Sequence, residues 1–257
     1  MNPLTLQRLN MDTTWHCTLG SIKLLIDPWL VGTEVDYFSW FNTQWHRTPP
    51  TDCSQLPPFD TVLITQKYPD HCHPETLQAL RPQQIIAPAH MLKRLRHLVP
   101  DATLIGVEPG PEGVLHRDVR LHLLASPRRV DPIYDAFLLD DGQRSIVIAP
   151  HGLSATQDHL AIVEAASPIT VLLSPFDHYQ LPTLLGGTIK PGLPGLQSLV
   201  DLFDPEIVIQ THDEDKYARG LVSQLARIKA FREDDLGSHA WLAQRHHSIP
   251  NYQPVTF

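Results

Sequence analysis

Apolar residues in this chain come in short runs that stop abruptly. Val62 to Ile64 ends at TQKYPDH, Ile146 to Ala149 at PHG, Val171 to Leu173 at SPFDH, and Ile207 to Ile209 at QTHDED. Three or four consecutive β-branched or leucine residues read as strands buried on both faces. The pattern therefore predicts four strand ends, each opening into a polar loop that carries a histidine. Helical spacing lies between them. PETLQALR has Pro74 at a first helical position, HMLKRLRHLV follows, and in SATQDHLAIVEAA the pair Ser154 and Gln157 has capping-box spacing. A further helix is expected from near Asp213, with Tyr217, Leu221, Leu225 and Ile228 on one buried face. Earlier, SIKLLIDPWL reads as a strand ending in a turn. VRLHLLASP and YDAFLLDDGQRSIVIAP add more strands, the latter two joined at Asp141-Gly142 as a hairpin. Strands come in runs early and alternate with helices late, which favours a sheet-on-sheet core with helices outside over a pure doubly wound sheet.

Composition narrows this picture. A length of 257 residues with 42% hydrophobic content can fill the core of one large domain, and a single domain over 1–257 is expected. The 24 prolines are about twice the usual share of roughly 5% and are dispersed, as for many short elements joined by stiff turns. A formal charge of -8 repels a phosphate backbone, and the basic clusters Lys93, Arg94, Arg96 and Arg128, Arg129 are small, so nucleic acid is not an expected partner. Cys17, Cys53 and Cys72 are too few for a disulfide framework. The N-terminal MNPLTLQRLNMD has no signal-peptide apolar stretch, and nowhere do 18 apolar residues run together. The expectation is a soluble, cytoplasmic protein without a membrane span.

Fifteen histidines need sorting. His46, His90, His97, His116, His122, His159, His239, His246 and His247 fall in helical, strand-interior or tail segments, where a histidine needs no metal. His71, His151 and His212 each follow a buried strand, where a rigid scaffold offers side chains to a shared cleft. His73 and His178 are intermediate.

The series LLIDPWL, VLITQKYPDHCHPETL, SIVIAPHG and VIQTHDE resembles the metallo-β-lactamase fold over roughly residues 4–230. The resemblance implies an α+β fold, a four-layer αββα sandwich with a metal cleft at one edge of the two sheets. It also implies a depleted ligand set. The family's loop His-x-His-x-Asp-His falls on Gln66, Tyr68, Asp70 and His71, and its middle histidine falls near Arg128 or Arg129, whose guanidinium offers only donors. The bridging aspartate falls on His151 and the last histidine on His212. All three histidines of the first metal are thus replaced, while Asp70, His71, His151 and His212 remain for the second. Three imidazoles and one carboxylate suit one divalent transition metal, Zn²⁺, Fe²⁺ or Mn²⁺; the alternative is a metal-free site whose polar groups bond to one another.

Two functions are consistent with this resemblance. One is a mononuclear hydrolase acting on an ester, lactone or phosphodiester of a small molecule, with Asp70 both ligand and catalytic residue. Gln66 and Tyr68 would then orient substrate in the place of the lost metal, Arg128 would favour an anionic or carbonyl-bearing substrate, and His178 would lie beside them. The other is a catalytically inactive binding or scaffold protein on the same fold. The stretch WLVGTEVDYFSWFNTQW, residues 29–45, holds three of the five tryptophans and reads as irregular. Trp40 and Trp45 within it are expected either to form an apolar substrate-binding lip or simply to pack the core.

Overall fold

The computed structural model describes residues 3–127, 133–213, 215–249 and 251–257. Two sheets share one core. The first has seven strands in the spatial order Val255–Thr256, Thr5–Arg8, Trp15–Leu19, Ile22–Ile26, Thr61–Leu63, Gln84–Pro88 and Thr103–Val107. The second has six, in the order Ile207–Gln210, Ile169–Ser174, Ser145–Ile148, Ala136–Asp140, Val119–Leu124 and Val114–His116. Leu24, Ile26 and Leu63 of the first sheet meet Leu121, Phe137, Ile148 and Leu173 of the second between the layers. On the outside, helices Pro74–Leu80 and Leu92–Leu98 cover the first sheet through Leu77 and Leu95. Helices Gln157–Ala165 and Leu193–Phe203 cover the second through Ile162, Leu196 and Phe203. This is an αββα sandwich of the metallo-β-lactamase type, as the apolar runs imply: a strand between a second sheet and a helix layer is dry on both faces, so it alternates little.

Thr61–Leu63 runs parallel to Ile22–Ile26 and Gln84–Pro88, and Ile169–Ser174 runs parallel to Ser145–Ile148 and Ile207–Gln210. The loops after parallel strands open at their carboxyl ends, where clefts form in such sheets. Asp140 pairs with Ser145 across the expected hairpin, whose Gly142 takes φ 81°.

Three local expectations are corrected. The segment after Asp213 is no helix with one buried face: strand Lys216–Arg219, a single turn Leu221–Leu225 and strand Arg227–Lys229 replace it, with Tyr217, Leu221, Leu225 and Ile228 exposed. Gly220, at φ 119°, breaks the helical path. The capping box of Gln157–Ala165 is formed by Thr156 and His159, not Ser154 and Gln157: Thr156 Oγ1 accepts from His159 N, and His159 Nδ1 accepts from Thr156 N. Residues 29–45 are not irregular throughout, because Glu34–Asp36 and Asn42–His46 pair as a hairpin. That hairpin continues through Lys216–Arg219 into one small sheet, and Thr188–Pro191, His178–Gln180 and Arg227–Lys229 make another.

Candidate metal centre

The floor of the cleft is built from strand ends. After Ile22–Ile26 the chain turns at Asp27, a non-glycine residue at φ 44°. Its carboxylate accepts from Thr65 N (2.7 Å), Thr65 Oγ1 (2.5 Å) and His71 Nδ1 (2.8 Å). The loop after Thr61–Leu63 is tied down in turn, since Thr13 Oγ1 donates to the Asp70 carbonyl at 2.7 Å. His73 closes this loop as the N-cap of Pro74–Leu80, its ring nitrogen accepting from Thr76 N. His151 sits in a tight turn after Ser145–Ile148, where Gly152 N donates to Ala149 O and Gly152 takes φ 86°.

His212, also in the left-handed region at φ 57°, is clamped from two sides. Its backbone N–H donates to Asp12 O at 2.8 Å, its Nδ1 donates to Asp12 Oδ1 at 2.6 Å, and Lys190 Nζ donates to its carbonyl at 2.7 Å. Such a conformation is uncommon outside glycine and persists where surrounding contacts over-determine it.

One ligand atom from each of Asp70, His71, His151 and His212 lies within 4.8 Å of all the others, and all four residues are buried. His71 Nε2 and His151 Nε2 are 3.1 Å apart, His71 Nε2 is 3.7 Å from Asp70 Oδ1, and His212 Nε2 is 3.5 Å from Asp70 Oδ2. The rings of His151 and His212 stack at 4.7 Å. With Nδ1–H of His71 and His212 directed at Asp27 and Asp12, the Nε2 lone pairs of both point inward. Donors separated by 3 to 4 Å are what one ion with bonds of about 2.0–2.2 Å spans. Three imidazoles and a carboxylate, two of the rings oriented by outer carboxylates, therefore fit a divalent transition metal.

The electrostatics favour the ligating form of two of the three imidazoles, while at His71 a proton competes with an ion. Burial, then the neighbouring His212 and His71, push His151 well below the usual histidine range. Burial, then the ammonium groups of Lys190 and Lys216, do the same for His212. Both rings are held neutral, the ligating form. Burial acts to lower His71 as well, but Asp70 and Asp27 outweigh it and raise it. Burial acts to raise Asp70, yet His71, Lys216 and His212 hold its carboxyl at about 2. Lys216 Nζ lies 3.1 Å from Asp12 Oδ2 and 3.7 Å from Asp70 Oδ2.

A cleft of about 390 Å³ opens above this floor. Tyr68 lines it, stacked on His151 with ring centroids 6.3 Å apart. Gln66 does not reach it. Its amide donates to Ile133 O (2.7 Å) and Asp135 O (3.2 Å), so its donors are taken by the backbone rather than offered to a substrate. His178 turns aside toward Pro191 O at 3.3 Å. The three tryptophans of residues 29–45 part ways: Trp29 is buried, Trp45 leans on Tyr217 at 5.8 Å, and Trp40 is 65% exposed and stacked on Phe38. The aromatic wall of the cleft comes instead from Tyr37 and Phe41. Arg128 and Arg129 lie outside the described residues.

The sequence reading missed Asp12, Asp27, Lys190 and Lys216. Asp27 carried a signal, for it follows the apolar run Leu24 to Ile26 just as the candidate histidines follow theirs. Asp12 and the lysines had none, because their partners are far away in the chain.

The model of the beta-lactamase superfamily domain matches residues 11–212. Among solved structures, a metallo hydrolase from the archaeon Ignicoccus hospitalis is similar at 16% identity, over 100% of this chain and 99% of that one, with a TM-score of 0.66. An isothiocyanate hydrolase from Delia radicum gut bacteria is similar at 14% identity over 98% and 99%, TM-score 0.70. A diiron β-hydroxylase from Streptomyces venezuelae is similar at 15% identity over 100% of this chain but 54% of its own, TM-score 0.67. No curated protein matches the sequence. Among the described residues no helix is long and apolar enough to cross a membrane.

Proposed function

The chain belongs to the beta-lactamase superfamily, and from that premise we propose that it is a hydrolase working with a single divalent transition metal on an apolar ester, lactone or phosphodiester. Asp70, His71, His151 and His212 would hold the ion. The observation that supports this is the convergence of those four donors within 4.8 Å, with two of the rings anchored from behind by Asp27 and Asp12. When bound, such a metal polarises a carbonyl or phosphoryl oxygen and lowers the pKa of water toward about 7.

The chain supplies the rest. Asp27 and Asp12 fix the tautomers of His71 and His212 and keep Nε2 inward. Asp70, held ionised at about 2, acts as an anionic donor and is a poor acceptor for a catalytic proton, which narrows its expected role to that of a ligand. Lys216, which lines the cleft, places a fixed positive charge beside Asp70 on the path of an incoming oxygen. Tyr68 packs against His151 and limits water around it. Leu181, Leu185, Ile189, Phe41 and Val222 form an apolar wall for an acyl chain or ring.

The test is elemental analysis of untagged protein alongside turnover of a panel of apolar esters, lactones and phosphodiesters. One equivalent of transition metal is expected, lost in Asp70→Ala together with turnover. Two equivalents would overturn the single-metal assignment. No metal in metal-replete preparations, with no turnover, would leave an inactive binding protein on this fold.

A further inference from the structure

Among the described residues ten large apolar side chains are exposed, and nine of them stand in the three segments that frame the cleft mouth. They include Phe38 and Trp40 in the first hairpin, Leu184 after His178–Gln180, and Leu225 and Ile228 in the segment after Gly220, with Leu184 98% exposed. The tenth, Leu115, is on Val114–His116 at the opposite edge of the six-stranded sheet. A soluble surface scatters such residues singly, and a cluster of them marks a contact site.

The segments form one rim. Leu221 N donates to Trp40 O at 3.1 Å and Val222 N to Phe41 O at 3.0 Å, while Ile228 pairs with Tyr179 across the second small sheet. Charge is segregated in the same place. Residues 37–48, 178–193 and 216–232 contain no aspartate or glutamate, in a chain with 28 acidic and 20 basic residues; the adjoining acids Glu34, Asp36 and Asp215 are buried or half-buried, the first two within the cleft. Arg219, Arg227, Lys229 and Arg232 are exposed there. The next acids, Glu233 to Asp235, begin a turn whose Leu236 packs on the outer face of the six-stranded sheet.

We propose that the cleft mouth docks onto an anionic lipid–water interface, with the apolar tips inserted among the headgroups and the arginines and lysine paired to them. Aromatic and aliphatic tips interleaved with cations on one face are the pattern that holds a protein at such an interface, by burial together with attraction to anionic lipid. A second copy of the chain fits less well, because a two-fold contact would set the same cations against each other. The exposed rim runs inward to Leu181, Leu185 and Val222 of the cleft wall, so apolar side chains continue from the lipid side into one wall of the cleft. Docking needs no metal and stands apart from the proposed chemistry.

Co-sedimentation of the full chain with phosphatidylcholine vesicles, with and without phosphatidylglycerol, tests this, read together with tryptophan emission. Binding is expected to the anionic vesicles, weakened by salt, and to be at least about tenfold weaker to phosphatidylcholine alone. Trp40→Ser and Leu184→Ser should each lower it about tenfold. Arg227→Glu and Lys229→Glu should each lower it about fivefold or more, and Leu115→Ser should not change it. Thermal melts of these surface variants check that they fold, and chelated and metal-loaded protein should bind alike. No binding to anionic vesicles, or binding indifferent to the rim variants, overturns the proposal. Concentration-dependent dimerisation lost in Trp40→Ser, without vesicle binding, also overturns it and assigns the rim to self-association.

Discussion

The floor and the rim of the cleft are built on opposite principles. His71, His151 and His212 are at most 4% exposed, they extend from strands of the two main sheets, and outer groups hold two of their rings and the backbone of His212. The rim residues project from two three-stranded sheets outside the main sandwich, and their outermost side chains are exposed and touch mainly one another. Position at the floor is set by the shared core, which holds the four donors within 4.8 Å of one another. The exposed side chains of the rim can vary without disturbing that geometry, whereas Lys190 and Lys216 of the same small sheets reach inward to His212 and Asp12 and belong to the floor. Chemistry and access are thereby separated in the fold, and each can be perturbed while the other is watched.

The largest effect should come from the groups behind the floor. Asp27→Asn and Asp12→Asn each leave the four donors in place but remove an anion from an imidazole, and second-sphere changes of this kind lower metal affinity about 10- to 100-fold. Competition with a chromogenic chelator measures it, and unchanged affinity would mean that the rings are oriented by packing alone. At the rim, a Cβ on Gly220 would meet Phe41 O at 2.6 Å and Trp40 O at 2.9 Å, at φ 119°. Gly220→Ala should therefore loosen the join between the two rim segments by about 1–3 kcal/mol. Hydrogen exchange is expected to quicken over 37–46 and 216–226 while Ile169–Ser174 keeps its protection; uniform loss of protection would show floor and rim to be one cooperative unit. Between floor and rim, Phe41→Ala should raise KM for an apolar ester about tenfold with metal content and kcat little changed. Trp45→Ala, resting on Tyr217 outside the cleft wall, should leave KM alone.

The same contrast explains what the sequence disclosed. Buried strands announce themselves by uninterrupted apolar runs, and the ends of those runs pointed to His71, His151 and His212, because a chain leaving a dry sheet must turn polar at once; Asp70 came from the family resemblance. The rim has no such imprint. Tyr217, Leu221, Leu225 and Ile228 are spaced like the buried face of a helix, yet they are exposed, and periodicity reports apolar spacing without reporting whether a core lies beneath it. Asp12 illustrates a further limit. It touches His212 from 200 positions away, and only the pairing of sheet edges brings the two together. Glycine and short polar side chains were informative where they ended an element, as at Gly142, and misleading at the cap of Gln157–Ala165, where Ser154 has the spacing but Thr156 makes the bond.

A last prediction concerns the half of the centre whose family ligands are replaced. Gln66 there is fastened to the backbone at Asp135, and Asp135 Oδ1 accepts from Ser126 N at 2.7 Å. Burial outweighs that hydrogen bond and raises the Asp135 carboxyl to about 6. The folded protein thus binds this proton more tightly than the unfolded chain does. Stability contributed by Asp135 is greatest below about pH 4, falls as pH rises toward about 6, and is level above that, the reverse of a salt-bridged carboxylate. A shift of about two units, reached with the Lys67 ammonium already opposing it, corresponds to at most about 3 kcal/mol. Asp135→Asn keeps an acceptor for Ser126 and removes the titration, so chelator-treated variant and parent should have similar urea midpoints near pH 4 and diverge by pH 7, with the variant more stable. Chelation excludes the opposing pH dependence of metal binding at the floor. Parallel profiles would mean that Asp135 ionises freely in the folded protein, and that the half of the centre around Gln66 is wetter than its hydrogen bonds imply.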